Sequence, residues 1–178
     1  MMSPLKITLY HDPFDFLIYT ILGQQISVKQ ADRVYQNLSA LSGSPIKPET
    51  LASLSDTQLK QCGIPGFKTR YIRAVQQAVI NETLSLTQLA QHNHQKRLKA
   101  LTKIPGIGPW SAEMYCIFVL GDLTIFSLTD KGLQNGLKTY LNRPEMTLKE
   151  IQDMAKLWEP YPAIVAHYLW AYWDKKGE

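Results

Sequence analysis

Apolar residues recur at intervals of three and four along most of the chain, a spacing that predicts helices rather than strands. Asp12-Pro13 opens a run through FDFLIYTIL that stops at Gly23, and Ser27 with Gln30 forms a capping box for VKQADRVYQNLSALSG. Ser55 with Gln58 repeats the device before LKQCG. IPGFK then turns the chain into TRYIRAVQQAVI, and a polar stretch from Asn81 to Thr87 leads to LAQHNHQKRLKAL. Thr147 with Glu150 caps a further helix that ends near Trp158. No segment alternates with a β-branched bias, so no sheet is expected. The pattern predicts about ten short helices without a long linker, an all-α protein of one compact unit or two abutting lobes.

One segment departs from the amphipathic rule. PWSAEMYCIFVL, residues 109 to 120, is apolar on nearly every face with Glu113 as its only charge, which predicts a central helix buried all round. Just before it, Pro105, Gly106, Gly108 and Pro109 crowd five positions of LTKIPGIGPW. A helix start leaves its first amides without intrahelical partners and carries partial positive charge, so it suits an anion. Glycines there let a ligand approach the backbone closely. The same turn reads equally well as a tight connection between two packed helices.

Composition narrows the classes. With 178 residues and 45% hydrophobic content the chain can bury a sizeable core. Lys plus Arg exceed Asp plus Glu by 19 to 15, a net charge of +4 that suits a polyanionic partner without requiring one. No apolar run is long enough to span a bilayer, and MMSPLKITLYHDP lacks the layout of a signal peptide, so a cytoplasmic protein without membrane contact is expected. Cys62 and Cys116 sit in apolar surroundings and are too few for a cysteine cluster. His11, His92, His94 and His167 are scattered; His92 and His94 read as a polar loop before they read as a metal pair. No metal site is expected.

IPGIGPW followed by SAEM, after the helical QKRLKAL, resembles the helix-hairpin-helix motif of DNA glycosylases. Four further blocks fall in the same order as in that family. PFDFLIYTILGQQIS at 13 to 27 resembles its N-terminal helix and wedge loop, and GIPGFKTRYI at 63 to 72 its middle helical turn. FSLTDKGL at 126 to 133 resembles the loop with the catalytic aspartate, and WEPYPAIVAHYLW at 158 to 170 the C-terminal tryptophan block. The chain is thereby identified as similar to the 3-methyladenine DNA glycosylase II (AlkA-type) branch of the helix-hairpin-helix superfamily. The resemblance implies two abutting helical lobes with the hairpin beside an interlobe cleft. One lobe would run from 14 to 122 and the other combine 1–13 with 123–178, without the N-terminal β domain of longer members.

The resemblance also implies roles. Asp130, which local pattern alone reads as a helix N-cap, becomes the catalytic carboxylate that stabilises positive charge on the sugar as the base departs. Trp110 and Trp170 become base-stacking residues, and Met114 takes a pocket position that carries an aromatic residue in the best-matched form of the branch. For Trp170, within AHYLWAYW, core packing is nearly as good a reading. Gln24 and Gln25 follow Gly23 where the family inserts its wedge, although two glutamines there also fit a solvent-facing loop. Gly106, Gly108 and Lys103 become phosphate contacts. In the lyase branch a lysine stands where this chain has Trp110, so a monofunctional enzyme without a Schiff base follows.

The chain departs from the branch pattern at Met114, at Ser127 in place of a common proline, and at Pro162 in place of an arginine. These bear on substrate range rather than on reaction type. The implied activity is hydrolysis of the N-glycosidic bond of alkylated, 3-methyladenine-like purines in double-stranded DNA. It would be carried out in base excision repair by a monomer without a cofactor, close to the nucleoid in a bacterium. Two alternatives remain: a catalytically silent helix-hairpin-helix DNA-binding module, and a glycosylase for a deaminated or oxidised base.

Overall fold

The computed structural model describes residues 6–177. Within them the chain is all-helical with no strand, as the periodicity predicts. It divides into two compact units, one spanning Tyr10–Tyr115 and the other joining the N-terminal residues up to Leu9 to the chain from Cys116 onward.

The first unit holds α1 (Pro13–Gly23), α2 (Val28–Ser42), α3 (Pro48–Ala52), α4 (Asp56–Gln61), α5 (Gly66–Ile80), α6 (Leu86–Leu89), α7 (His94–Leu101) and the start of α8 (Pro109–Phe118). Asp12 caps α1 by accepting from the Asp15 amide at 3.1 Å, and Ser27 and Ser55 form the expected capping boxes of α2 and α4. α1 is the axis of this unit and packs against α2 and α5. Leu17, Ile18, Ile21 and Leu22 are at most 1% exposed. At about 1.5–3 kcal/mol for each side chain withdrawn from water, this one helix supplies a large share of the unit's cohesion. The partly buried Asp15 carboxylate is satisfied by the Tyr35 hydroxyl and the Ile46 amide, both at 2.8 Å, so it ties the segment after α2 to α1. Arg73 of α5 donates to the carbonyls of Leu51 and Leu54 and to the Asp56 carboxylate, fastening α3 and α4.

The second unit holds α9 (Lys131–Tyr140), α10 (Leu148–Lys156) and α11 (Pro162–Gly177). Leu133, Leu137, Met146, Ile151, Ala166 and Leu169 form its core, flanked by Phe126, Trp158 and Trp170. α9 lies close against α11 because Gly136 has no side chain: a Cβ there would stand 3.0 Å from the Leu169 carbonyl oxygen. At the start of α10, the Thr147 amide and hydroxyl, with Arg143, hold the Glu150 carboxyl down to about 2.

About ten short helices are expected and eleven stand among the described residues, α3 and α6 being too short to show a period. Two details differ from the sequence expectations. The 109–120 run stops at Phe118, and the Asp122 amide returns to the Cys116 carbonyl at 2.9 Å after Gly121 turns at φ +67°. Nor is α8 buried on every side: Pro109 is exposed and Trp110, Glu113 and Phe118 are half-buried, while Ser111, Ala112, Met114, Tyr115, Cys116 and Ile117 are buried.

Candidate functional site

In the first unit, α7 and α8 are joined by a compact turn over residues 102–108. The Ile104 amide donates to Leu101 O, the Ile107 amide to Ile104 O, and the Ala112 amide to Gly108 O, each at 3.0 Å. Ile107, 3% exposed, anchors the turn in the core, while Gly108 after it is exposed. The two glycines have different reasons. Gly106 sits at φ +91°, and a Cβ there would fall 2.3 Å from the Tyr71 Cβ, so the fold itself forbids a side chain. Gly108 has an ordinary φ, is exposed, and a Cβ there would meet nothing within 4 Å. No protein atom requires glycine at 108; a ligand that needs close access to the first turn of α8 would. Lys103 and Pro105 are exposed on the same turn.

The two glutamines after α1 have separate fates. The Gln24 carboxamide donates to Gly106 O at 2.8 Å and to Ser111 Oγ at 3.1 Å, so it braces the hairpin. Gln25 is exposed at φ +61° and is the member of the pair that projects. Behind the loop, the buried Lys68 ammonium donates to Leu22 O at 2.6 Å and Gln24 O at 2.9 Å, and burial lowers its pKa. On α8, Trp110 is half-buried and Met114 only 4% exposed.

In the second unit Asp130 caps α9. Its Oδ1 accepts from the Leu133 amide at 2.7 Å and from Trp170 Nε1 at 3.2 Å, and the residue is 7% exposed. The N-cap and a fixed carboxylate are therefore the same feature, since the donors that start the helix also immobilise the group. Trp170 does more than fill space: its ring packs at 5.2 Å from Phe118 and 5.4 Å from His167 while its N–H holds Asp130. A Cβ on Gly132 would lie 3.1 Å from Asp130 Oδ1 and 3.6 Å from the Trp170 ring, so a side chain there would press on this pair. The turn before the cap is closed by the Asp130 amide on Ser127 O at 3.2 Å, with buried Ser127 and exposed Thr129 sharing a hydroxyl contact at 3.3 Å. Lys131 points to Gln134 Oε1 at 3.2 Å.

The structure thus brings Asp130 together with Trp170, and Gln24 with the hairpin that carries Gly106, Gly108 and Lys103. Sequence reasoning missed Lys68, Tyr71, Ser111, Gly132 and His167. The four-residue spacing of Gly132 and Gly136, which puts both on one face of α9, was the available signal for a close approach there. Among the described residues no group of three or more His, Cys, Asp or Glu is arranged to hold a metal ion. No helix among them is long and apolar enough to cross a membrane.

Comparison with known proteins decides the family, because residues 18–161 match the model of the HhH-GPD superfamily base excision DNA repair proteins. The chain belongs to that superfamily. The curated relatives it matches include members named for 3-methyladenine and alkylated bases. A Bacillus subtilis protein with the provisional name DNA-3-methyladenine glycosylase is 35% identical over 70% of this chain and 44% of its own length. The alkylbase DNA glycosidase-like protein of Schizosaccharomyces pombe is 27% identical over 90% of this chain and 78% of its own. The chain therefore spans less than half of the first relative and about four fifths of the second. Among solved structures, a DNA-3-methyladenine glycosidase from Bacillus halodurans has a TM-score of 0.81 at 35% identity, covering 95% of this chain and 79% of that one. The Schizosaccharomyces pombe 3-methyladenine DNA glycosylase bound to abasic DNA has a TM-score of 0.85 at 20% identity, covering 99% and 86%, and shares the fold.

Proposed function

We propose that this chain is a monofunctional DNA glycosylase. It hydrolyses the N-glycosidic bond of alkylated, 3-methyladenine-like purines in double-stranded DNA, within base excision repair. The observation that carries the reading is the Asp130 carboxylate, held at Oδ1 by the Leu133 amide and the Trp170 indole. A carboxylate fixed before the reaction begins stabilises positive charge at C1′ without reorganising when that charge develops.

In this reading the bond between C1′ and the purine nitrogen breaks with its electron pair going to the base. The cationic purine leaves neutral, a water oxygen bonds to C1′, and the water proton passes to solvent. Alkylated purines already carry ring charge, so the help required is electrostatic rather than strong acid catalysis. Trp110 and Trp170 supply aromatic surface for the extruded cation, worth about 0.5–2 kcal/mol per face. Met114 softens that surface with a polarisable thioether. Gly106, Gly108 and Lys103 hold a backbone phosphate, and Gln25 enters the gap left by the flipped base. Trp110 offers no amine, so the sugar forms no Schiff base. In this reading the protein works as a monomer.

The test is incubation of the purified chain with methylated duplex DNA. Free methylated purine and alkali-labile sites without strand cleavage are expected. A protein that binds the duplex and releases no base would be a silent helix-hairpin-helix module instead.

A further inference from the structure

We infer that the loop after α1 and the hairpin turn are one rigid element. In it, Gln24, backed by Lys68, is the positioning residue that fixes the projecting Gln25 relative to the phosphate-holding turn. The inference rests on the glycosylase reading for what that element does, and on four hydrogen bonds for its existence. The Gln24 carboxamide bonds Gly106 O and Ser111 Oγ, residues 82 and 87 positions further along the chain. Ser111 is 2% exposed, so this brace ends inside α8 rather than in solvent. The Gln24 carbonyl, in turn, is gripped together with that of Leu22 by the Lys68 ammonium.

Lys68 is an unusual choice for that task. It is 4% exposed, and a buried ammonium is costly unless its donors are used. Here they meet carbonyls at the C-terminal end of α1, where orphaned acceptors and the helix dipole favour a cation. An apolar side chain would fill the same space without the cost and would leave the loop unfastened. Tyr71, one turn along α5 from Lys68, stands where a Gly106 side chain would fall. One face of α5 therefore backs both the loop and the turn, while Gln24 bolts them to each other. All of these residues lie within one compact unit.

The physical consequence concerns force. Extruding a base costs a few kcal/mol of stacking and pairing. A wedge can supply that only if it does not yield relative to the point at which the duplex is held. The brace lets attraction at the phosphate act on the stack through Gln25, which is exposed and held at φ +61°.

The experiment uses the full chain and a duplex carrying 2-aminopurine, whose fluorescence rises when it unstacks, with wild type, Gln24→Met and Ser111→Ala at saturating protein. All three should bind the duplex within about threefold of one another. The unstacking equilibrium should fall about tenfold in Gln24→Met, which loses both bonds, and about threefold in Ser111→Ala, which loses one. Ser111→Ala removes a single hydroxyl and keeps the test decisive if Gln24→Met folds poorly. Unstacking at the wild-type level in both variants overturns the inference. Equal loss of binding and unstacking overturns it too, because that marks a general structural role. Wild-type unstacking lost in the variants, without base release from methylated DNA, would remove the glycosylase reading and support the brace.

Discussion

A methyl group placed on Gly106 or on Gly108 separates what the hairpin turn does for the fold from what it does for DNA. At Gly106 the φ of +91° lies in a region that costs a non-glycine residue about 1–3 kcal/mol. The added Cβ would also stand 2.3 Å from the Tyr71 Cβ, a contact that only a backbone shift relieves, for about 1–3 kcal/mol more. Gly106→Ala should therefore lose about 2–6 kcal/mol and melt about 4–24 °C lower. At Gly108 no atom lies within 4 Å of the new Cβ and φ is ordinary, so Gly108→Ala and Gly108→Val should melt within about 2 °C of wild type. If phosphate approaches the amides beside Gly108, the valine blocks it. Losing a hydrogen bond to a charged group costs about 1.5–3 kcal/mol, so affinity should fall about 10- to 100-fold for damaged and undamaged duplexes alike. Thermal melts and fluorescence titrations on the same preparations measure both. Full DNA affinity in a normally folded Gly108→Val protein would refute the argument and leave the glycines as chain-turning residues only.

Lys103→Ala should reduce the slope of log affinity against log salt by about one unit or less, as expected for one exposed cation, when the titration is repeated at several salt concentrations. Borohydride added during turnover should trap no covalent protein–DNA species, and an adduct seen on a denaturing gel would redirect attention to Lys131. Burial lowers the pKa of His167, whose Nε2 has no hydrogen-bond partner, so below its ordinary value near 6.5 the unfolded chain binds the proton more readily than the folded one. Stability from this residue is complete above about 6.5 and is lost as pH falls towards the depressed value. His167→Phe should therefore show a smaller drop in urea midpoint than wild type between about pH 7.5 and 5.

Features encoded within a few residues were legible in the sequence. The capping boxes at Ser27, Ser55 and Thr147 and the cap at Asp12 are local devices, and each stands where its spacing predicts. The hairpin was legible because proline and glycine punctuate it. Other features depend on residues far apart in the chain. Nothing near Gln24 announces that its carboxamide turns towards Gly106 and Ser111, and nothing near Lys68 announces two carbonyl partners at the C-terminal end of α1. Trp170 was ambiguous between pocket and core because its partner Asp130 lies 40 positions away. The 109–120 run was read as a single buried helix because hydropathy carries no mark of where α8 stops. Gly121 marks the turn that follows the run but not the stop at Phe118.

The central claim is that the Asp130 carboxylate removes a base, and single-turnover release from methylated duplex by wild type and Asp130→Asn tests it most directly. Asparagine keeps an oxygen that can accept from the Leu133 amide and Trp170 Nε1, and it caps helices about as well as aspartate, so the variant should fold and bind DNA normally. It lacks the charge, and release of the methylated purine, identified chromatographically, should fall by a factor of about a hundred or more. Release by the asparagine variant within about threefold of wild type would contradict the account.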